Sequence, residues 1–349
     1  MEEKSQGSKF SQALKWVGYL TAILSLCATI GGIAKLAYDR LETRRKIDSL
    51  LSAEAVQLQS RDYRSAWQTL EHASQLMADS PRVRSAQESL AMSWLEDVHL
   101  SENEKYSDVT QKTEPVLARA VAASKPGPGR ADVRAHIGWA YFLESRDGRF
   151  DLDPAVPYAE AVAEDPNNPY AQAMWGHWIL WQSCSKISAA AGHFKAALAS
   201  HRQSEFVRRF QLSALLNCQN EAAALETIRV ANDMRREQRT PDPWSRDHIF
   251  SLYYFALNHD SRSPEAVRFV NAVPPAEHVA TFRWLFDAMD ADSSNGISRT
   301  FYLAVLLEAA GQREDALASY RLVLRQVPPQ SGPLGQAADA AIKRLSLSH

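Results

Sequence analysis

Cys184 and Cys218, with His193 and His201 between them, are the nearest the chain comes to a metal-ligand set, since zinc prefers thiolates and imidazoles. Their spacing matches no zinc pattern, in which ligands come in close pairs presented by one turn, so no metal is expected. The stretch from Asp290 to Ser298, DADSSNGIS, resembles the first part of a calcium loop through Asp290, Asp292, Ser294 and Ile297. Asn295 stands where such a loop needs glycine, and Phe301 where it needs its closing carboxylate. A polar loop capping a helix from about Ser298 is the expectation there. There is no nucleophile elbow, no phosphate-binding glycine loop ending in Lys-Ser or Lys-Thr, and no His-Glu-x-x-His. The expected protein is therefore not an enzyme and holds no cofactor.

The elements that would position such residues belong to a globular chain. Its 349 residues are 45% hydrophobic and 23% charged, enough for two or three domains with a real core. Lys plus Arg of 39 against Asp plus Glu of 41 leaves a formal net charge of −2 with no block of like charge, which argues against nucleic acid as a partner. Three cysteines exclude a disulfide scaffold.

From Trp16 to Ala34 the chain runs 19 residues without a charge. At the helical rise this covers about 28 Å, near the hydrocarbon thickness of a bilayer. Lys15 and Lys35 bracket the run, and Trp16, Tyr19 and Tyr38 lie near its ends, as residues at the headgroup layer do. One transmembrane helix over 16–38 after a short tail, 1–15, is predicted, giving a single-pass protein of the cell or inner membrane. A cleaved signal peptide is the rival, disfavoured by the length of the run and by the helix-forming segment that follows Asp39 directly. Three Lys/Arg precede the span and five follow it, which by the positive-inside rule puts the large domain in the cytoplasm. Export of that domain stays open. Ala28 and Gly32 are spaced to allow a homodimer through the span, and Cys27 is a lipid-facing or packing residue.

Beyond about residue 47, Ala, Leu, Glu, Gln and Arg dominate and apolar residues recur at three and four, so the remainder is predicted to be helix. A pattern of a small residue, a large apolar one four positions on and a small one three later recurs. It reads Ala66, Leu70, Ala73; Ala190, Phe194, Ala197; Ala224, Ile228, Ala231; and Ala316, Tyr320, Val323. The small residue lets two antiparallel helices approach and the large one fills the gap against the next pair.

On these residues the chain resembles the tetratricopeptide repeat family, whose unit is a 34-residue helix-turn-helix. The copy RTFYLAVLLEAAGQREDALASYRLVLRQVP has Gly311 at the turn, Ala316 and Tyr320 as the packing pair and Pro328 as the stop. A second copy runs from Asn168 to about His201 with Gly176 in its first helix, a third has Gly138, Tyr141, Tyr158, Ala161 and Pro166, and a fourth covers Ala53 to Ser80. The pattern weakens between Arg82 and Ser124 and between Trp244 and Met289, where a degenerate hairpin and an extra helix after Pro275 are expected. The predicted fold is all-α, an antiparallel helix-hairpin solenoid. Juxtamembrane hairpins span 47–124, the main array 131–328 and a capping helix 329–349, with KPGPGR either a linker between the first two or one long loop of a continuous solenoid.

The resemblance implies a concave groove lined by the first helix of each pair. Helical spacing from Gly138 and Gly176 puts Trp139, Phe142 and Leu143, then His177, Leu180 and Trp181, on that face, with Arg209 following in the next unit. Aromatic and arginine side chains make interface anchors; equally, such tryptophans fill a core, as Trp175 and Trp178 are expected to do. Cys184 and Cys218 fall one repeat period apart in equivalent turns, which leaves two readings: independent small residues, or a disulfide that needs an oxidising compartment. The function implied is a membrane-anchored adaptor holding a protein or peptide segment in the groove. The alternative is a regulatory or sensory subunit of a membrane enzyme or envelope assembly complex.

Overall fold

The structure is a computed structural model. It describes Lys35 and residues 37–347 apart from 219, 238–242, 258, 259, 261, 288–295 and the side chain of Trp244. The predicted span over 16–38 lies almost wholly outside these residues, as does the calcium-loop stretch 290–295. Among the described residues, no helix is long and apolar enough to cross a membrane.

Every regular element among the described residues is helical. The helices start where the local chemistry dictates. Ser80, Asn168 and Ser263 each precede a proline, and each side chain accepts a hydrogen bond from the backbone N–H three residues on, while the proline takes the first helical position, where no N–H is needed. Asp62 and Asn220 cap in the same way without the proline. Gly311, at φ +73°, makes the left-handed turn that a residue with a Cβ adopts only at a cost.

The chain divides into two units within one helix, at Arg119 and Ala120. The first holds α1 (37–59), α2 (Tyr63–Leu76), α3 (Pro81–Glu96) and most of α4 (Ser107–Ala123). Ile47, Ala73 and Val83 form one buried cluster in it, with Leu50, Leu51 and Met77 packed against them, and Leu70, Leu90, Leu95 and Leu117 are fully buried as well. Trp67 and Trp94 meet at 5.8 Å, a tilted aromatic pair.

The second unit carries α5 (Pro128–Arg146), α6 (Ala155–Glu164), α7 (Pro169–Gln182), α8 (Ile187–Ala199), α9 (Ser204–Leu216) and α10 (Glu221–Arg236). It continues through α11 (Pro243–Leu257), α12 (Pro264–Asn271), α13 (Pro275–Asp287), α14 (Gly296–Ala309), α15 (Arg313–Gln326) and α16 (Pro333–Leu347). Short turns make hairpins of α5 with α6, α7 with α8, α9 with α10 and α14 with α15, and α16 packs on α15. The first helices also stack in order, α5 on α7, α7 on α9 and α9 on α11. Successive hairpins thus bury one face of their first helix against the next pair. A helix pair cannot bury both of its faces alone, and stacking supplies the missing partner.

Small residues set how closely the helices approach. A Cβ built on Gly138 would lie 2.5 Å from Cε1 of Tyr158, whose ring is wholly buried, while one on Gly176 would meet the Phe194 ring at 3.1 Å. Gly192, also helical, has nothing within 4 Å of such a Cβ. Opposite signs follow for the same substitution. Gly138→Ala is expected to lose about 1–2 kcal/mol, overpacking exceeding the gain in helix propensity, whereas Gly192→Ala is expected to gain about 0.5–1 kcal/mol. Urea denaturation of the two variants checks this, and a destabilised Gly192→Ala would contradict it.

Several long-range ties carry a common interval. Arg82 to Asp48, Tyr63 Oη to Asp97 Oδ2 (3.0 Å) and Cys184 to Cys218 each join residues 34 positions apart. Asn168 Nδ2 to Asp132 and Arg344 to Glu308 span 36, and Arg283 to Asp315 spans 32. Arg130 to Glu164 (2.8 Å), also 34 apart, instead closes one hairpin, from the start of α5 to the end of α6. At Asn168 and Asp132, and at Cys184 and Cys218, equivalent points of neighbouring hairpins are side by side.

Candidate functional site

The first helices of three successive hairpins bring a row of rings together. On α5, Trp139 and Phe142 are three residues apart; on α7, His177 and Trp181 are four apart; on α9, Phe206 and Phe210 are four apart. Each pair shares a helix face. Trp139 lies 4.8 Å from Phe210 and 5.1 Å from His177, Phe142 lies 5.4 Å from His177, and His177 lies 5.8 Å from Phe210. Tilted and edge-on contacts at these distances are favourable between aromatic quadrupoles.

The cluster is interior. Trp139, Phe142 and His177 are buried, because the stacking of α5, α7 and α9 closes over the face that helical spacing assigned to a groove. Leu143 and Leu180 are buried with them, whereas Trp175 and Trp178, assigned to the core, are half-buried. Trp181 alone of the five assigned residues is open to solvent, at 46%, where it meets Phe142 edge-on at 5.6 Å and carries the Arg146 guanidinium 5.1 Å from its ring. Arg209 is half-buried, 6.0 Å from the ring of Phe206. Burial, aided by the Arg146 charge, pushes the pKa of His177 down to about 3, so the ring is neutral near neutrality. Its Nδ1 has no hydrogen-bond partner among the described residues.

Cys184 opens the short turn between α7 and α8, and Cys218 lies in the turn between α9 and α10. They form a disulfide, with Cα atoms 5.4 Å apart and sulfurs at 2.19 Å. His193 instead bonds Gln172 Oε1 through Nδ1 at 2.6 Å, and His201 stands in a left-handed turn at φ +55°. Among the described residues, no three His, Cys, Asp or Glu side chains converge on a metal-sized site.

Two cavities flank the start of α10. The first, of about 350 Å³, lies between α9, α10, α11 and α12, with walls that include Leu212, Leu215, Leu225, Leu252 and Phe269. Glu221, Glu265 and Arg268 also line it, each side chain at least 60% exposed, and so mark its mouth. The second, of about 710 Å³, runs between α8 and α10 past Cys184, Ser188, Asn220 and Arg229. Asn220, Glu221 and Leu225 line both.

None of the residues lining the first cavity was among those that spacing assigned to a site. The eight-residue α12 forms one wall, and Phe255 of α11, 69% exposed, stands in its lining. The available signal was the poor small-residue spacing after Trp244: where the packing pattern lapses, space remains. Set beside known proteins, the chain matches no family model and no curated protein.

Proposed function

We propose that the protein is a membrane-anchored adaptor built as a tetratricopeptide-like solenoid, held by the apolar run within 16–38, that binds a protein segment and catalyses nothing. The observation that carries this reading is the recurrence of 34 residues between tied positions, at Asp48 and Arg82, Tyr63 and Asp97, and Cys184 and Cys218. A stack of equal helix pairs repeats the same surface at each step, and such surfaces suit extended partners. The contact of Gly138 with Tyr158 and of Gly176 with Phe194 supports it further, since these are the small and aromatic positions on which the resemblance rests. The disulfide favours an array on the oxidising side of the membrane, against the small excess of Lys and Arg that follows the span.

Trp181 is the exposed anchor of the aromatic row, and large aromatics with cationic neighbours are common hot spots. Replacing Trp181 with a photoreactive benzoylphenylalanine in intact cells is expected to yield a discrete crosslinked protein. The same replacement at Val156, which is 56% exposed on the second helix of its hairpin, is expected to yield none. Equal labelling from both positions, or none from either, overturns the reading.

A further inference from the structure

The first cavity is the least explained feature of the array. Its 350 Å³ has room for more than one leucine side chain. Its walls are mainly leucine, alanine and phenylalanine, with the buried Thr227, whose hydroxyl donates to the Ala223 carbonyl, and the half-buried His248 among them, while Glu221, Glu265 and Arg268 stand at the mouth.

The mouth is acidic on balance. Arg268 stands 3.9 Å from Glu221 and 3.7 Å from Glu265, so two carboxylates share one guanidinium. Glu226 and Arg229, paired at 3.2 Å, line the second cavity and are not among the residues lining this one. Exposed pairs this long are weak and readily give way to an incoming charge. A cation entering beside Arg268 finds an unbalanced carboxylate. An anion finds two like charges.

The shared wall is held from outside. Asn220 caps α10 by accepting from the Ala223 N–H at 2.8 Å, and Cys218 precedes that cap by two residues. The disulfide to Cys184 therefore fixes the turn that aims Glu221 and Leu225 into the cavity.

We propose that the cavity between α9, α10, α11 and α12 receives two neighbouring apolar side chains of a partner protein segment flanked by a basic residue, and that the Cys184–Cys218 disulfide holds the wall that shapes it. The proposal rests on the adaptor reading and names where on the array, and for what chemistry, the partner is held. Opening the clasp needs a dithiol reductant, which gives two electrons and two protons to the disulfide, leaves two cysteine thiols and itself closes to a disulfide.

The test uses the full-length chain and two fluorescein-labelled nonapeptides, one with Leu-Leu-Lys at its centre and one with Leu-Leu-Glu, followed by anisotropy at low salt. The lysine peptide is expected to bind at least about tenfold more tightly, and Glu221→Lys with Glu265→Lys is expected to invert the preference. Leu225→Trp, which fills the cavity, is expected to abolish binding of both peptides. Ala256→Phe fills it from α11 and serves if the first variant does not fold. Dithiothreitol is expected to weaken binding about tenfold in the parent chain and to change nothing in Cys184→Ser/Cys218→Ser. Equal affinities, no binding, or undiminished binding to a folded Leu225→Trp chain overturn the proposal. So does stoichiometric laurate binding that depends on Arg268, which would assign the cavity to a small amphiphile. Crosslinking from position 181 that survives Leu225→Trp leaves the adaptor reading standing when the cavity proposal falls; its absence from the parent chain removes both.

Discussion

Replacing Cys184 and Cys218 together by serine is expected to lower stability by about 4 kcal/mol. The disulfide closes a loop of 34 residues, and in the chain-entropy model that closure removes about this much freedom from the unfolded ensemble. The loss should fall on the two hairpins it joins, α7 with α8 and α9 with α10, because a stacked array loses stability unit by unit. Hydrogen exchange is expected to quicken across α7, α8, α9 and α10 and to stay unchanged in α14 and α15. Dithiothreitol should reproduce the effect in the parent chain and leave the serine variant untouched. Urea midpoints that coincide with and without reductant in the parent chain would show that the bond holds nothing. In intact cells, a disulfide on the oxidising side of the membrane resists maleimide until reductant is added, whereas immediate labelling would put the array in a reducing compartment.

Acidification from pH 7 to 5 is expected to cost the fold about 4 kcal/mol, chiefly through His177 and His278. Burial drives both, His177 to a pKa of about 3 and His278 to about 4. The Arg146 charge adds to the shift of His177, while backbone hydrogen bonds at Phe269 and Val270 partly oppose that of His278. A buried histidine below its ordinary value stays neutral when the unfolded chain takes up a proton. Its stabilisation is therefore complete above about pH 6.5 and is lost as pH falls toward the folded value. Each site contributes about 1.4 kcal/mol per pH unit across that window, so the pair loses about 2.7 kcal/mol per unit between pH 6.5 and 4. His193, half-buried and shifted the same way by burial, adds to the slope. His177→Phe is expected to flatten the curve by about half while keeping the ring packing against Trp139, Phe142 and Phe210. Chemical denaturation at pH 7, 6 and 5 reads the slope. A stability flat across that range, or a slope unchanged in His177→Phe, would contradict the assignment.

Helix content and helix starts were legible in the residues, because both follow from interactions within a few positions. A proline after a capping Ser or Asn marks a first turn wherever the rest of the chain goes, as at Ser80, Asn168 and Ser263. The recurring small and large residues were equally legible, since Gly138 facing Tyr158 and Gly176 facing Phe194 meet within one hairpin. Exposure was not. Periodicity says that Trp139, Phe142, His177 and Trp181 share a direction; whether that direction is covered depends on how far α9 leans over α5 and α7, which no single helix encodes. The cavity beside α10 was hidden for the same reason, since it takes four helices, α9 to α12, to enclose it. The cysteines show both sides. Sequence set them one repeat apart in equivalent turns, which permits a bond, and tertiary stacking brought their Cα atoms to 5.4 Å, a distance at which one forms. What the sequence determined by itself was the local: helices, caps and the interval of the repeat. The tertiary structure alone decided what is buried, what is joined and where space is left, because these depend on summed small rotations between successive hairpins.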